Sequence, residues 1–400
     1  MEPKKFLMVT VSGPDRPGIT AELTRVLMEH EVELLDIEQA SPHKLLGLYF
    51  LLDLGPEGGA GDSVIKDLLF EASRLGLTLD FRLYSENEVQ AASRPNLFVL
   101  THFGGIEALA AISKILGEEK ANIETISTAF HHGCRSMEMI VQLDGSGRIG
   151  RLKERVMRKS RELGVDLALQ KMEAYRKNKR LILFDMDSTL IDMEILDEVA
   201  RRAQVFREVA RVTERAMRGD FDFEESLRQR VALLKGVTVE TLKEIRDRMR
   251  ISEGVEELVT TLRWLGYRMG VLTGGFHFFA DHLKETLGLD FAFANRLEVK
   301  DGVLTGRVEG AIIDAAGKAQ IVNRLSCDLG IPLDQVVVVG DGANDVLMLG
   351  QAGLGIAYNA KNVLDGVATA ALGKRRLSNI LHLLAVTEED IAEAVSCKEP

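Results

Sequence analysis

The stretch Leu181-Ile182-Leu183-Phe184-Asp185-Met186-Asp187-Ser188-Thr189 decides the fold. Four apolar residues without a polar break read as a strand covered on both faces, and such strands belong to parallel sheets. The same kind of run returns at Met269-Gly-Val-Leu272, Val336-Val-Val-Val339 and Leu354-Gly-Ile-Ala357, with helical segments between. Together they predict a doubly wound, Rossmann-like α/β domain over about 180–385. The Asp301-Gly302 pair inside Leu297 to Thr305 reads as a hairpin turn. Residues at about 195–258 are charged and strand-poor, so a small helical cap is expected there. Residues 386–400 are expected to form a weakly docked tail.

Upstream of Met172 the pattern differs. Val26-Leu-Met-Glu-His-Glu-Val-Glu-Leu-Leu-Asp-Ile37 aligns with Ile115-Leu-Gly-Glu-Glu-Lys-Ala-Asn-Ile-Glu-Thr-Ile126, and Gly76-Leu-Thr-Leu-Asp-Phe81 with Gly164-Val-Asp-Leu-Ala-Leu169. One unit of about 90 residues therefore occurs twice. Leu77, Leu79, Phe81 and Leu83 alternate with polar residues, as do Met137, Met139, Val141 and Leu143, which is the period of half-buried strands. Each unit reads as βαββαβ, a ferredoxin-like antiparallel sheet with helices on one face. The expected units are 1–86 and 95–173, joined by Glu86 to Pro95 and followed by a boundary at Ala174 to Arg180.

The chain of 400 residues, 46% apolar, is long enough for two or three domains with their own cores. A formal charge of −11 argues against bulk nucleic-acid or anionic-membrane binding. Cys134, Cys327 and Cys397 are few and far apart, which fits a reducing, cytoplasmic setting. The run Phe6 to Val11 is too short for a signal peptide or membrane span.

In open α/β sheets, ligands bind beyond the carboxyl ends of the strands. Asp185-Met-Asp-Ser-Thr, Thr273-Gly-Gly and Gly340-Asp-Gly-Ala-Asn-Asp345 each close a core strand, and Lys318 opens a helix. Taken singly each is ordinary turn chemistry. Four converging clusters are harder to attribute to turns. Carboxylates about 4 Å apart repel by about 4 kcal/mol at an effective dielectric of about 20. Asp185, Asp187, Asp341 and Asp345 therefore call for a cation, and oxygen ligands favour Mg²⁺. The Thr273 hydroxyl and Lys318 suit phosphate oxygens, and Gly274 and Gly275 let backbone N–H groups approach.

These four motifs resemble the signatures of the haloacid dehalogenase superfamily, most closely its phosphoserine phosphatases. The middle motif carries Thr273 where the family often has Ser. The resemblance extends through Phe293-Ala-Asn-Arg-Leu297 and Asp301-Gly-Val-Leu-Thr-Gly306. It implies hydrolysis of O-phospho-L-serine, the last step of serine biosynthesis. Asp185 is the implied nucleophile and Asp187 the general acid and base. Asp185, the Asp187 backbone carbonyl and Asp341 would hold Mg²⁺, with Asp345 as a ligand or one layer behind. Thr273, Gly274, Gly275, Lys318 and Asn344 would bind the phosphoryl group. Glu194 would take the substrate ammonium and Arg230 its carboxylate, with Met217 and Phe223 closing the pocket.

Ser12-Gly-Pro-Asp-Arg-Pro-Gly-Ile19, with the βαββαβ order, resembles the turn of ACT regulatory domains. That implies amino-acid binding through Gly13, Asp15 and Gly18, with serine as effector, and pairing into a homodimer. A tight turn with Asp15 as a helix cap is the simpler alternative. The second unit has Thr101-His-Phe-Gly-Gly-Ile106 there and lacks the aspartate. His131, His132 and Cys134 form only a weak metal pattern. Three other functions stay open: phosphatase action on phosphothreonine or phosphohomoserine, phosphotransfer to another alcohol, and an amino-acid sensor with a silent catalytic fold.

Overall fold

The computed structural model describes residues 5–55, 61–85, 97–131, 134–143, 148–172, 178–360, 367–373 and 376–397. The chain divides into two compact units, Met1–Arg94 and Pro95–Pro400. Residues 86–96, the expected connector, and most of the boundary at Ala174 to Arg180 lie outside the described residues.

The first unit runs β1 (Lys5–Pro14), α1 (Ile19–Glu29), β2 (Glu33–Ala40), β3 (Leu45–Asp53), α2 (Gly61–Arg74) and β4 (Thr78–Ser85). The sheet order is β2-β3-β1-β4, all antiparallel. Alternation in β1 and β3 sends Leu7, Val9, Val11, Leu48, Phe50 and Leu52 into a core with Leu23, Val26 and Leu68 of the helices.

The second unit begins with the same plan: β5 (Leu97–His102), α3 (Ile106–Glu118), β6 (Ala121–His131), β7 (Cys134–Leu143), α4 (Ile149–Leu163) and β8 (Leu167–Lys171). The α/β portion follows with β9 (Leu181–Phe184), β10 (Arg268–Phe276), β11 (Phe291–Lys300), β12 (Val303–Glu309), β13 (Val336–Gly340), β14 (Leu354–Tyr358) and β15 (Ala370–Leu372). β9 sits centrally and pairs in parallel with β10 and β13; β13 continues to β14 and β15, and β10 to β11. The antiparallel β12 closes the expected hairpin at Asp301-Gly302.

The two sheets of this unit are one. β15 pairs antiparallel with β8, giving a single eleven-stranded order β12-β11-β10-β9-β13-β14-β15-β8-β5-β7-β6. Alternation in β8 explains how. Leu167 and Leu169 enter the core of the second repeat, whereas Ala168 enters the core of the α/β portion. The Asp166 carboxylate accepts from Gly373 N at 2.6 Å, Lys153 Nζ donates to the Val367 carbonyl at 2.8 Å, and Gln170 Nε2 to the Leu383 carbonyl at 3.2 Å.

The cap is helical: α5 (Ile195–Arg202), α6 (Phe206–Met217), α7 (Phe223–Ala232) and α8 (Val239–Arg246). Its two connections bond each other, Asp192 N to the Arg250 carbonyl at 3.0 Å and Ser252 N to the Leu190 carbonyl at 2.9 Å. α9 (Val255–Trp264) begins inside the expected cap range but contacts β10, so it belongs to the layer on the sheet. α10 (His277–Leu287), α11 (Ala315–Leu329) and α12 (Val346–Gln351) complete the helices between strands.

The expected loose tail is corrected. Glu388–Ser396 forms helix α13, contacts α9, and buries Ile391 and Ala394. Thr387 and Asp390 close a capping box at its start, which satisfies two backbone donors at once.

Candidate active site

Strand register builds the site. Phe184 lies level with Val271 on one side and Val339 on the other. Asp185 therefore leaves the sheet beside Thr273 and Asp341, and its N–H donates to the Val339 carbonyl at 2.8 Å. Lys318 is fully buried in the first turn of α11, whose cap Asp314 accepts from Gly317 N at 2.7 Å. Its ammonium donates to Asp185 Oδ1 at 2.6 Å and Asp345 Oδ1 at 2.7 Å. The other oxygen of Asp345 accepts from the N–H groups of Asp341 and Gly342 at 3.1 and 3.2 Å. Both Asp345 oxygens are thus engaged beneath the site. Gly340 is required there, because an added Cβ would lie 2.4 Å from Asp345 Oδ2.

Asp187 accepts from Ile195 N at 2.9 Å, which ties it to the start of the cap. Ser188, at a left-handed φ of 55°, donates to Glu194 Oε1 at 2.8 Å. The Thr273 hydroxyl accepts from Gly275 N at 2.9 Å. A Cβ on Gly275 would lie 2.7 Å from Met186 Cε and 3.0 Å from Asp187 Oδ2, and one on Gly274 would lie 3.0 Å from the Phe223 ring. Only glycines let this turn close against the aspartate loop.

The electrostatics follow from burial. Burial raises the Asp185 carboxyl, Lys318 pulls it back and Asp345 raises it again, to about 6 on balance. Burial, Glu194 and Asp185 hold Asp187 well above the usual carboxylate range. Burial, then Asp185, Asp345 and Glu194, push Asp341 up to about 7. Burial opposes the charge on Lys318, but Asp185 and Asp345 outweigh it and raise its pKa. One buried ammonium faces a surplus of carboxylates. Asp185, Asp341 and Asp345 offer oxygens within 4.8 Å of one another, a donor set that fits a hard cation. Asp185 and Asp341 line the cavity; Asp345 lies behind them.

The cavity, about 260 Å³, joins these groups to the cap. Glu194, Phe223 and Arg230 line it with Asp185, Asp187, Thr273, Gly274, Gly275, Asp341 and Asn344. Burial lowers the Arg230 pKa, and Asp197 and Glu194 oppose that. Arg230 Nε donates to the Ser226 carbonyl at 3.3 Å, and its guanidinium makes no ion pair among the described residues. Met217 is not brought in: it ends α6, is 77% exposed and lies outside the lining.

In the first repeat Gly18, at φ 96°, occupies the cap position of α1. Asp15 is exposed and makes no capping bond, so the simpler cap reading fails. A Cβ on Gly13 would lie 2.6 Å from Leu77 Cδ2. His132 and the side chains of His131 and Cys134 lie outside the described residues.

Sequence reading missed Asn295. It is 1% exposed; its Nδ2 donates to the Gly274 carbonyl at 2.8 Å and its Oδ1 accepts from Ile313 N at 2.7 Å. It therefore joins the Thr273 turn to the segment that starts the Lys318 helix. The available signal was an amide directly after the apolar run Phe291-Ala-Phe-Ala294.

Residues 179–353 match the haloacid dehalogenase-like hydrolase family, and 5–82 and 105–170 match the ACT domain. The chain is 40% identical to a phosphoserine phosphatase of Streptomyces coelicolor over 392 residues, covering 97% of this chain and 94% of that one. It is 37% identical to the phosphoserine phosphatase SerB2 of Mycobacterium tuberculosis, covering 99% and 98%. Among solved structures, a haloacid dehalogenase-family hydrolase of Salmonella enterica serovar Typhi aligns with a TM-score of 0.63 at 26% identity, over 72% of this chain and 98% of that one.

Proposed function

Because this chain belongs to the phosphoserine phosphatases, a haloacid dehalogenase-like hydrolase joined to ACT domains, we propose that it hydrolyses O-phospho-L-serine through an aspartyl-phosphate on Asp185. The observation that carries this reading is one cavity with Asp185 over a buried lysine on its floor and Glu194 with Arg230 in its wall.

Asp185 Oδ1 is held by Lys318, which leaves Oδ2 to attack phosphorus. Burial, Glu194 and Asp185 favour the protonated form of Asp187, which suits it to give a proton to the departing serine oxygen. The same residue then takes a proton from the water that cleaves the acyl phosphate. Thr273, the N–H groups of the Gly274-Gly275 turn, Lys318 and Asn344 receive the phosphoryl oxygens. Asp185, Asp341 and the Asp187 backbone carbonyl would hold Mg²⁺, with Asp345 behind them, and the bound ion would supply charge neutralisation at the phosphate. Arg230 binds the substrate carboxylate as a charge-assisted pair, Glu194 binds the ammonium, and Phe223 covers the site. Met217 reaches the site only after the cap moves.

The first repeat serves as the serine-sensing element through Gly13, Asp15 and Gly18, and joins two chains into a homodimer in the cytoplasm. No helix among the described residues is long and apolar enough to cross a membrane.

Asp185→Asn is expected to abolish turnover and capture of beryllofluoride; retained turnover would exclude the covalent scheme. Arg230→Ala is expected to raise KM for phosphoserine by about a hundredfold, the loss of a charge-assisted pair worth up to about 3 kcal/mol. p-Nitrophenyl phosphate has no such carboxylate, so an equal rise with that substrate contradicts the assignment.

A further inference from the structure

Two attachments join the cap to the α/β portion, and they differ in kind. The first is the pair of connecting segments, which bond each other through Asp192 with Arg250 and Ser252 with Leu190, and so act as one hinge. The second is the β11–β12 hairpin. Gly236 N donates to the Leu304 carbonyl at 2.9 Å, Leu304 N to the Val237 carbonyl at 2.8 Å, and Val239 N to the Gly302 carbonyl at 2.9 Å. Leu304 is 1% exposed and shares a core with Val231, Leu234 and Leu242 of the cap. Gly306 sits at φ 84°, and a Cβ there would lie 3.1 Å from Lys235 Cβ and 3.2 Å from the Ala232 carbonyl oxygen. Glycine therefore lets β12 lie against the end of α7.

The hairpin is fixed at its other end too. β11 pairs with β10 only as far as Asn295; from Arg296 to Lys300 its strand partner among the described residues is β12. Asn295 closes the base, because its Oδ1 accepts from Ile313 N, beyond β12, and its Nδ2 donates to the Gly274 carbonyl. One end of the hairpin thus stands on the turn proposed to receive the phosphoryl group. The other end holds the segment that follows α7, and Arg230 lies in the last turn of that helix. A body on one hinge can swing, whereas a second attachment away from the hinge fixes its distance. Gly274 and Arg230 sit at the two ends of a strut, and both line the cavity.

We infer that the β11–β12 hairpin is the specificity-determining element for substrate length, holding Arg230 at the spacing that phosphoserine spans between carboxylate and phosphate. Phosphohomoserine is one methylene longer, and a site that cannot lengthen rejects it; one methylene is worth about 10- to 200-fold in such discrimination. The tether holds the segment after α7 and not α6, which ends at Met217, so a pocket of set length leaves α6 able to move. This rests on the phosphoserine reading above and adds what sets the length that the site accepts.

The test compares phosphoserine, phosphohomoserine and p-nitrophenyl phosphate on the full chain. Val239 is the first residue of α8, and Thr238 before it is extended at ψ 150°. Proline is tolerated there, so Val239→Pro removes one tether bond and keeps the helix. Val239→Ala keeps the N–H and is the control. Leu304→Ala loosens the same contact by losing its buried side chain. Wild type is expected to prefer phosphoserine over phosphohomoserine by about tenfold or more in kcat/KM. Val239→Pro and Leu304→Ala are each expected to narrow that preference by about fivefold, the worth of one hydrogen bond, through a higher KM for phosphoserine. Turnover of p-nitrophenyl phosphate, which has no carboxylate to place, should stay within about twofold of wild type, as should the preference of Val239→Ala. An unchanged preference in both tether variants, or equal losses on both amino-acid phosphates, overturns the proposal. So does the same narrowing by Val239→Ala, which keeps the bond. A wild type that accepts both lengths equally removes length selection but leaves the phosphatase standing. No turnover of phosphoserine by wild type overturns the proposed function itself.

Discussion

Asp341 and Asp185 belong to the proposed cation site, and that links metal affinity to pH. Their folded pKa values, about 7 and about 6, lie above the unfolded value of about 3.9. A carboxyl with a raised folded pKa binds its proton more tightly in the folded state. Its contribution therefore favours folding at low pH and is lost as pH rises through the folded value. A divalent cation binds the ionised forms and offsets that loss. The gain in Tm from added Mg²⁺ is thus expected to be larger at about pH 7.5 than at about pH 5.5. Melting curves with and without Mg²⁺ at both values check this; equal gains contradict it. Asn295 gives a second prediction. Asn295→Asp keeps the acceptor for Ile313 N but sets a carboxylate against the Gly274 carbonyl. Turnover is expected to fall by about tenfold to a hundredfold, in line with outer-layer residues that orient a site. Inorganic phosphate should inhibit more weakly, with thermal stability falling less for Asn295→Ala than turnover does. The set Asp185, Asp187, Thr273, Lys318, Asp341 and Asp345 is legible because each residue follows an apolar strand run or lies at the start of a helix. Asn295 was not, because its function lies in two bonds to segments remote in sequence.

At the scale of elements, alternation revealed the strands of both repeats, and unbroken apolar runs revealed those of the parallel sheet. Two features escaped. The pairing of β8 with β15 depends on Ala370-Ala-Leu372, a run too short to carry a period of its own. Helix α13 differs from the expected tail, because an acidic start followed by isolated apolar Ile391 and Ala394 carries little helical signal of its own. Its hydrophobic partner surface comes from α9, far away in the chain. Ile391→Ala is expected to cost about 2–4 kcal/mol, as for other buried aliphatic truncations. Thr387→Ala should cost about 1 kcal/mol through the lost cap. Urea unfolding followed by tryptophan fluorescence measures both through Trp264, the last residue of α9. If Ile391→Ala leaves the midpoint unchanged, α13 is not part of the cooperative structure.

For the whole molecule, the two repeats look alike in sequence but differ in attachment. The first is a compact unit, Met1–Arg94, whereas the second shares a unit with the phosphatase portion. A chain starting at Pro95 is therefore expected to fold and retain Mg²⁺-dependent phosphate release while losing any response to serine. A chain starting at Asn178 would expose the β15 edge and the surface that Phe103 and Ala168 cover in the catalytic core. It is expected to aggregate or melt at least several degrees lower, because each lost kcal/mol lowers Tm by about 2–4 °C in a domain of this size. Equal Tm values and yields for the two truncations would mean that the shared sheet adds nothing to stability.

The strand pair β8–β15 also restricts what recombination can exchange. A crossover between Arg94 and Pro95 moves one compact unit intact, so lineages can trade or lose the first repeat in a single event. A crossover after Met172 divides a continuous sheet, and the incoming gene must supply a substitute for β8 in the same generation. The second repeat should therefore be inherited with its phosphatase more faithfully than the first.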